Sequence, residues 1–175
     1  AIDNANKEQS KLIPDILSLE GMSSNKIRHL LNNIISLQDN KARYLEVGVW
    51  KGSTTISALY KNSPEYHTAI DNFVQFNGPR FEFQKNCRTF LDYENRVNFL
   101  DADCFGIEPV RDFNIKNINT YLYDGEHSYA SQFKAITHYY NTLADDFILI
   151  VDDYNWDEVQ RAVSYTHLTL PTIYS

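Results

Sequence analysis

The chain contains few cysteine, methionine, glycine and proline residues. Its 175 residues include 2 cysteines, 1 methionine, 6 glycines and 5 prolines. Two cysteines, Cys87 and Cys104, are too few for a disulfide scaffold and are typical of a reducing compartment. No apolar run is long enough to span a bilayer, and no signal-peptide pattern is visible. We therefore expect a cytoplasmic protein with no membrane partner.

Clusters of positive charge are also missing. The net charge is −7, the isoelectric point is near 5.1, and Lys and Arg are scattered along the chain. A nucleic-acid binder normally shows a basic stripe, so we expect no nucleic-acid partner. The residues that are abundant, 43% hydrophobic with 14% aromatic, are typical of a folded globular chain. The length fits one domain.

Both ends of the sequence are unusual. The chain starts at Ala1 without an initiator Met, which suggests processing or a fragment. Residues 163–172, VSYTHLTLPT, resemble one reading frame of the transposon-end adapter used in sequencing libraries. The alternative is a natural, β-prone tail. We expect one domain over residues 1–162 and a non-native tail over residues 163–175.

Strand and helix patterns alternate along the domain. Apolar runs predict strands over residues 42–49, 68–73, 97–100, 118–123 and 147–151. Helical spacing of apolar residues follows Ser24, Gly52, Pro79 and Ser128. The last run, FILIV, shows no alternation, which is expected when both faces of a strand are covered. The pattern predicts an α/β fold with a doubly wound, mostly parallel sheet.

Acidic residues lie at the end of every predicted strand. The sequence reads Glu46-Val-Gly48, Asp71-Asn72, Asp101-Ala-Asp103, Asp124-Gly-Glu126 and Asp152-Asp153 at these five places. Ligands of such sheets bind beyond the carboxyl ends of the strands. Crowded carboxylates are costly unless they meet hydroxyls, amines or a cation. Helix N-capping explains one or two of them, but five in a row favour a ligand site.

The turn between Glu46 and Gly52 approaches that site most closely. Its glycines, Gly48 and Gly52, allow a tight turn against a ligand. The dinucleotide-binding fingerprint G-x-G-x-x-G is missing, and so is the Walker-type phosphate loop with its lysine and Ser or Thr. Glu46 also disfavours a neighbouring pyrophosphate. A cationic or hydroxyl-rich ligand suits this turn better.

Three segments resemble a known family. LEVGVWKGST is similar to motif I of class I S-adenosylmethionine (SAM)-dependent methyltransferases, and YLYDGEHSYASQFKAITHYY with FILIVDDYNW resembles the macrocin-type sugar O-methyltransferase branch. The resemblance covers residues 23–162. It implies a Rossmann-like sheet of order 3-2-1-4-5 with two further strands, which would lie beyond Ala162. We therefore expect a truncated chain whose exposed sheet edge invites homo-oligomers and which is itself inactive or unstable.

The resemblance also assigns cofactor-binding residues. It places Glu46 and the backbone of Gly48 beside the methionine part of SAM, and it includes Gly52 and Ser53 among the cofactor-binding residues. It implies that Asp71 accepts hydrogen bonds from the ribose hydroxyls, with Asn72 as a weaker candidate because Asn after a strand is often a turn residue. Asp103 and Cys104 would flank the adenine, although Cys104 fits core packing equally well. Asp124 completes the cofactor set.

The same resemblance implies metal ligands and a base. Asp124, Asp152 and Asp153 match a metal-binding trio, and three oxygen ligands suit Mg²⁺. Such an ion would hold neighbouring hydroxyls of a small-molecule acceptor. Glu126 and His127 are both candidates for the catalytic base: the Asp-Gly-acid pattern of the sugar-modifying relatives favours Glu126, whereas His127 has the more suitable unperturbed pKa. The alternative for His127 is that it orients Asp124. The alternative for Asp152 and Asp153 is a turn before Trp156.

The predicted function is therefore SAM-dependent O-methylation of a sugar or another polyhydroxylated small molecule, assisted by Mg²⁺. The alternatives are an NAD(P)-binding oxidoreductase, which the glycine spacing and the acidic strand ends disfavour, and a cofactor-binding fragment without catalysis. A nucleic-acid methyltransferase is disfavoured by the charge and by the lack of an Asn-Pro-Pro-Tyr motif.

Overall fold

A computed structural model describes residues 1–91 and 97–169 of the chain. Within these ranges strands and helices alternate as the sequence predicts. The expected tail, residues 163–175, lies partly outside the described residues, and up to Thr169 its backbone continues the last helix.

The strands form one parallel sheet of five members. They are β1 (Arg43–Val47), β2 (Tyr66–Asp71), β3 (Asn98–Asp101), β4 (Ile118–Tyr123) and β5 (Leu143–Val151). The order across the sheet is β3-β2-β1-β4-β5, and all four neighbouring pairs are parallel. The predicted fold class and strand order are confirmed.

Helices connect the strands and cover the sheet. They are α1 (Ile2–Asn6), α2 (Pro14–Leu17), α3 (Asn25–Gln38), α4 (Ser53–Leu59), α5 (Arg80–Phe90), α6 (Pro109–Phe113), α7 (Tyr129–Tyr139) and α8 (Asp157–Thr169). The helices predicted after Ser24, Gly52, Pro79 and Ser128 are confirmed as α3, α4, α5 and α7. The periodicity argument misses α1, α2 and α6 because each spans at most five residues, and α8 because it crosses the expected domain end.

The sheet separates two hydrophobic clusters, and alternation along β1 explains why. Tyr44 packs with α3, α4 and α5 on one face, whereas Leu45 and Val47 pack with α7 on the other. These β1 residues are at most 2% exposed. β1 is therefore buried on both faces, as is typical of a central parallel strand, although its sequence RYLEV includes the buried carboxyl of Glu46.

The expectation that both faces of β5 are covered is wrong. None of its residues is buried, and Ile148 is 42% exposed. The reason is its position: β5 lies at the edge of the sheet and pairs only with β4 among the described residues. In the described part of the chain, no helix combines the length and hydrophobicity needed to cross a membrane.

Candidate active site

A cavity of about 570 Å³ opens beyond the carboxyl ends of the strands. The chain adds β2 and β3 on one side of β1 and then crosses to β4 and β5 on the other, which places a topological switch point between β1 and β4. Each strand is followed by a residue that lines the cavity: Gly48, Asn72, Asp103, Asp124 and Asp152. The strand ends that the sequence singles out are therefore brought to one place.

The glycine turn follows β1 and requires both of its glycines. Gly48 and Gly52 have φ values of 84° and 85°, a region that disfavours other residues. A Cβ atom on Gly48 would overlap the carbonyl oxygen of Asp124, and one on Gly52 would lie 2.9 Å from the Phe83 ring. Gly48 lines the cavity, whereas Gly52 is the N-cap residue of α4 and does not line the cavity.

Asp71 holds this turn from the end of β2. Its Oδ2 atom accepts hydrogen bonds from the backbone N–H groups of Val49 at 2.9 Å and Trp50 at 3.1 Å. Its Oδ1 atom accepts a third, from the N–H of Phe73 at 2.7 Å. A carboxylate has about four acceptor positions, so Asp71 keeps acceptor capacity while it fixes the turn. It also lines the cavity.

Glu46 lies elsewhere than expected. Its side chain is fully buried and does not line the cavity. Its carboxylate accepts hydrogen bonds from the hydroxyls of Thr54 at 2.5 Å, Thr55 at 2.9 Å and Tyr44 at 3.1 Å. Burial raises the pKa of Glu46 to about 7, against the opposing effect of these three hydrogen bonds. Glu46 thus ties β1 to the start of α4 rather than facing the methionine part of a ligand.

The residues after β2 and β3 border the cavity and order their own loops. Asn72 accepts a hydrogen bond from the N–H of Val74 at 3.1 Å, and Asp103 accepts one from the N–H of Phe105 at 3.0 Å. Cys104 is half-buried, and burial raises the pKa of its thiol to about 12, so the thiol is neutral. All three predicted residues, Asn72, Asp103 and Cys104, line the cavity.

Asp124, Asp152 and Asp153 line the opposite side of the cavity. The pKa of Asp124 is raised to about 9, first by burial and then by the neighbouring carboxyl groups of Asp152, Glu46 and Asp153. Oxygen donors of this kind suit Mg²⁺. However, no three His, Cys, Asp or Glu side chains of the described residues are grouped so that they could hold a metal ion.

The two candidate bases have different surroundings. Glu126 is exposed, and its carboxylate accepts hydrogen bonds from Ser128 and Ser131 at the start of α7. His127 is half-buried, with its Nε2 atom 3.1 Å from Oδ2 of Asp153 and 4.0 Å from Oδ1 of Asp124. Its ring lies 5.3 Å from that of Trp156. The structure therefore brings His127 closer to the carboxylate cluster than the side chain of Glu126.

Negative charge dominates the cavity wall. Six carboxyl side chains line it: Asp71, Asp103, Asp124, Glu126, Asp152 and Asp153. None of the described residues that line it is Lys or Arg. A ligand of this cavity must carry positive charge or many hydroxyl and amino groups.

The chain matches a family model described as a methyltransferase domain over residues 45–154. This range covers more than half of the chain and contains all five strand ends. The chain belongs to this methyltransferase family. No curated protein matches its sequence.

Solved structures share the fold of this methyltransferase at low sequence identity. Precorrin-8w decarboxylase from Methanobacterium thermoautotrophicum has a TM-score of 0.68 at 17% identity, covering 93% of this chain and 82% of its own. An O-methyltransferase from Bacillus cereus, solved in complex with S-adenosylhomocysteine (SAH), has a TM-score of 0.65 at 12% identity, with coverages of 87% and 71%. The O-methyltransferase TomG from Streptomyces achromogenes, solved with SAM, has a TM-score of 0.64 at 16% identity, with coverages of 95% and 74%.

Sequence reasoning missed several residues of the methyltransferase cavity. Met22 and Ser23 reach it from the segment before α3, and Phe105 and Trp156 reach it from loops. Trp50 lines it from within the glycine turn, with a φ of 43°. Trp50 lies inside the quoted motif and was available as a signal. The other four depend on loop paths that no periodicity predicts.

Proposed function

We propose that this methyltransferase uses SAM and methylates a hydroxyl group of a sugar or another polyhydroxylated small molecule. The observation that carries the proposal is the convergence of six carboxyl groups on a cavity behind a glycine turn. Such a wall suits the hydroxyls, amines and sulfonium charge of SAM. The solved relatives that bind SAM or SAH support the same cofactor.

The cofactor is proposed to lie across the switch point. Gly48 lets the ligand approach the backbone closely, and Ser53 borders the same wall. Asp71 accepts the ribose hydroxyls with its remaining lone pairs, beside Asn72. Asp103 accepts the exocyclic amine of the adenine, with Cys104 as a neutral neighbour. Glu46 and Gly52 support the glycine turn from outside the cavity. Asp124 lies at the end of the cavity where the methyl group is transferred.

His127 is the stronger candidate for the base. It removes the proton of the acceptor hydroxyl, whose oxygen attacks the methyl carbon as the carbon–sulfur bond of SAM breaks, releasing SAH. Oδ2 of Asp153 lies 3.1 Å from the Nε2 atom of His127 and orients the imidazole. Glu126 remains the second candidate, but hydroxyl groups of α7 occupy its carboxylate.

Mg²⁺ is a separate part of the proposal. Asp124, Asp152 and Asp153 would hold it, and it would lower the pKa of a bound acceptor hydroxyl. The support is the crowded negative charge at these residues, and their side chains must move from the arrangement described. We expect Mg²⁺ to raise the thermal midpoint of chelator-treated protein and to have no effect on Asp152→Asn. Asp145→Asn, on exposed β5, is the matched control. An equal rise in all three proteins would contradict the site.

Turnover tests the reaction itself. The chain is incubated with methyl-labelled SAM and a panel of catechols, sugars and glycosides, and SAH and labelled product are measured together. We expect transfer to an acceptor with neighbouring hydroxyls, and a fall in kcat of roughly 10²-fold or more for His127→Ala. His138→Ala is the control, because His138 contacts the Ile107 carbonyl and does not line the cavity. Binding of SAH without transfer to any acceptor would favour the non-catalytic alternative.

A further inference from the structure

Arg28 is a buried cation beside the cavity. It lies on α3 and is 2% exposed, and it is the only buried Lys or Arg among the described residues. Its Nη1 atom donates to the carbonyls of Leu17 at 3.2 Å and Leu19 at 3.0 Å. Its Nε atom is buried without a partner, and no described carboxylate pairs with the guanidinium. An unpaired buried charge is costly, so its retention calls for an anion.

Only a glycine separates Arg28 from a cavity-lining hydroxyl. Ser53 lines the cavity together with Met22 and Ser23. A Cβ atom on Gly21 would overlap both the Oγ atom of Ser53 and the Nη2 atom of Arg28. The hydroxyl and the guanidinium therefore face the same narrow space. Because the guanidinium is buried, its charge is only weakly screened.

Negative and positive charges lie at different places around the cavity. Six carboxyl groups lie at or just beyond the carboxyl ends of the strands, and Arg28 lies behind the wall of Met22, Ser23 and Ser53. A carboxylate on a ligand is repelled from the strand ends and attracted to that wall. The cofactor of the proposed function carries such a group on its amino-acid end.

We propose that Arg28 is a positioning residue that selects ligands with a carboxylate at the wall of Met22, Ser23 and Ser53. The proposal rests on the proposed function, since the ligand is the proposed cofactor. The hydroxyls of Ser23 and Ser53 donate to the carboxylate, and Arg28 supplies the charge behind them. The carboxylate thereby fixes which end of the ligand lies away from Asp71 and Asp103.

Calorimetric titration of the full chain with two probes tests this assignment. The probes are SAH and decarboxylated SAH, which keeps the amine and lacks only the carboxylate. We expect SAH to bind roughly 10-fold more tightly, although general attraction to the acidic wall favours the decarboxylated cation. Arg28→Met is expected to weaken SAH binding by about 10-fold and to leave the decarboxylated probe within about 2-fold. Lys51→Met is the control, because Lys51 pairs with Glu20 on the outside of the same turn.

The possible results separate the two proposals. Equal or tighter binding of the decarboxylated probe to the wild-type chain would overturn the role of Arg28 and leave the proposed cofactor standing. An equal loss of both probes in Arg28→Met would show that Arg28 is only structural. If Arg28→Met does not fold, Arg28→Lys carries the same comparison, and a loss confined to SAH supports the proposal. Failure of both probes to bind the wild-type chain would contradict the proposed cofactor itself.

Discussion

Glu46, buried in β1, and Asp124, half-buried just after β4, are carboxyl groups whose pKa the fold raises. The pKa values rise to about 7 and about 9, in each case mainly through burial. Their environments differ, because Glu46 is surrounded by three hydroxyl donors whereas Asp124 faces further carboxyl groups. The first arrangement joins β1 to α4, and the second creates a site that a cation or a proton can neutralise.

Replacing Glu46 with Gln should reduce the dependence of stability on pH. The pKa of Glu46 is higher in the folded chain than the ordinary value of 4.5, so the folded state binds the proton more tightly. The stability from this group is fully present below pH 4.5 and is lost as the pH rises through about 7. Relative to the wild type, Glu46→Gln should gain on the order of 2 kcal/mol in unfolding free energy between pH 5 and pH 8. Urea unfolding at both pH values measures this, and parallel changes in the two proteins would contradict it.

Gly48 should not tolerate a side chain. Gly48→Ala must adopt a φ of 84° and move its Cβ atom away from the Asp124 carbonyl. We expect a loss of about 2 kcal/mol in unfolding free energy and weaker SAH binding. Gly106→Ala is the control, because its φ is not in the positive range and its Cβ contacts begin at 3.5 Å. Similar midpoints for the two variants in thermal unfolding would show that the turn is not strained.

At the scale of elements, the wall of Met22, Ser23 and Ser53 depends on the hydrogen bonds that hold α3 against α4. Asn32 of α3 is fully buried and donates from its Nδ2 atom to the carbonyls of Ser57 at 2.8 Å and Tyr60 at 3.0 Å. Its Oδ1 atom accepts from the backbone N–H of Lys11 at 3.1 Å. The side-chain amide of Asn32 thus joins α3 to α4 and to the segment around Lys11. The carbonyls of Ser57 and Tyr60 lie at the C-terminal half of α4, where helix carbonyls need such partners.

We therefore expect Asn32→Ala to lower the unfolding free energy more than the neighbouring variant Asn33→Ala does. Removing the amide leaves three backbone groups, the carbonyls of Ser57 and Tyr60 and the N–H of Lys11, unsatisfied, which should cost about 2 kcal/mol in unfolding free energy. Asn33→Ala is the matched control, since its Nδ2 atom makes an exposed hydrogen bond to Gln9. Chemical unfolding of both variants measures the difference. Equal losses would mean that Asn32 does not join α3 to α4.

The sequence predicts the strands well because each is a distinct apolar run, and the family resemblance adds their order. It also locates the acidic strand ends that line the cavity. Glu46, predicted beside the methionine part of the cofactor, does not line the cavity, because alternation along β1 turns its side chain toward α4, where it accepts hydrogen bonds from Thr54 and Thr55. Arg28 and Asn32 look like surface residues of an amphipathic helix. Their burial depends on the path of residues 10–24, which local patterns do not encode.

At the scale of the whole molecule, an acidic chain of net charge −7 concentrates carboxyl groups at one end of its sheet. The carboxyl ends of parallel strands meet there, so the sequence pattern becomes a single negatively charged wall. Its one buried Lys or Arg among the described residues, Arg28, lies close to Ser53 of the cavity wall. The cavity therefore suits a ligand whose hydroxyls and positive charge face the acidic strand ends and whose carboxylate faces Arg28.

Calorimetric titration of the full chain with SAH, with NADH as a parallel ligand, tests the central claim most directly. We expect SAH to bind in the roughly micromolar range and NADH not to bind. Asp71→Asn should weaken SAH binding by roughly 10-fold, whereas Asp101→Asn should not, because Asp101 pairs with Arg80 outside the cavity. Binding of NADH without SAH would contradict the account.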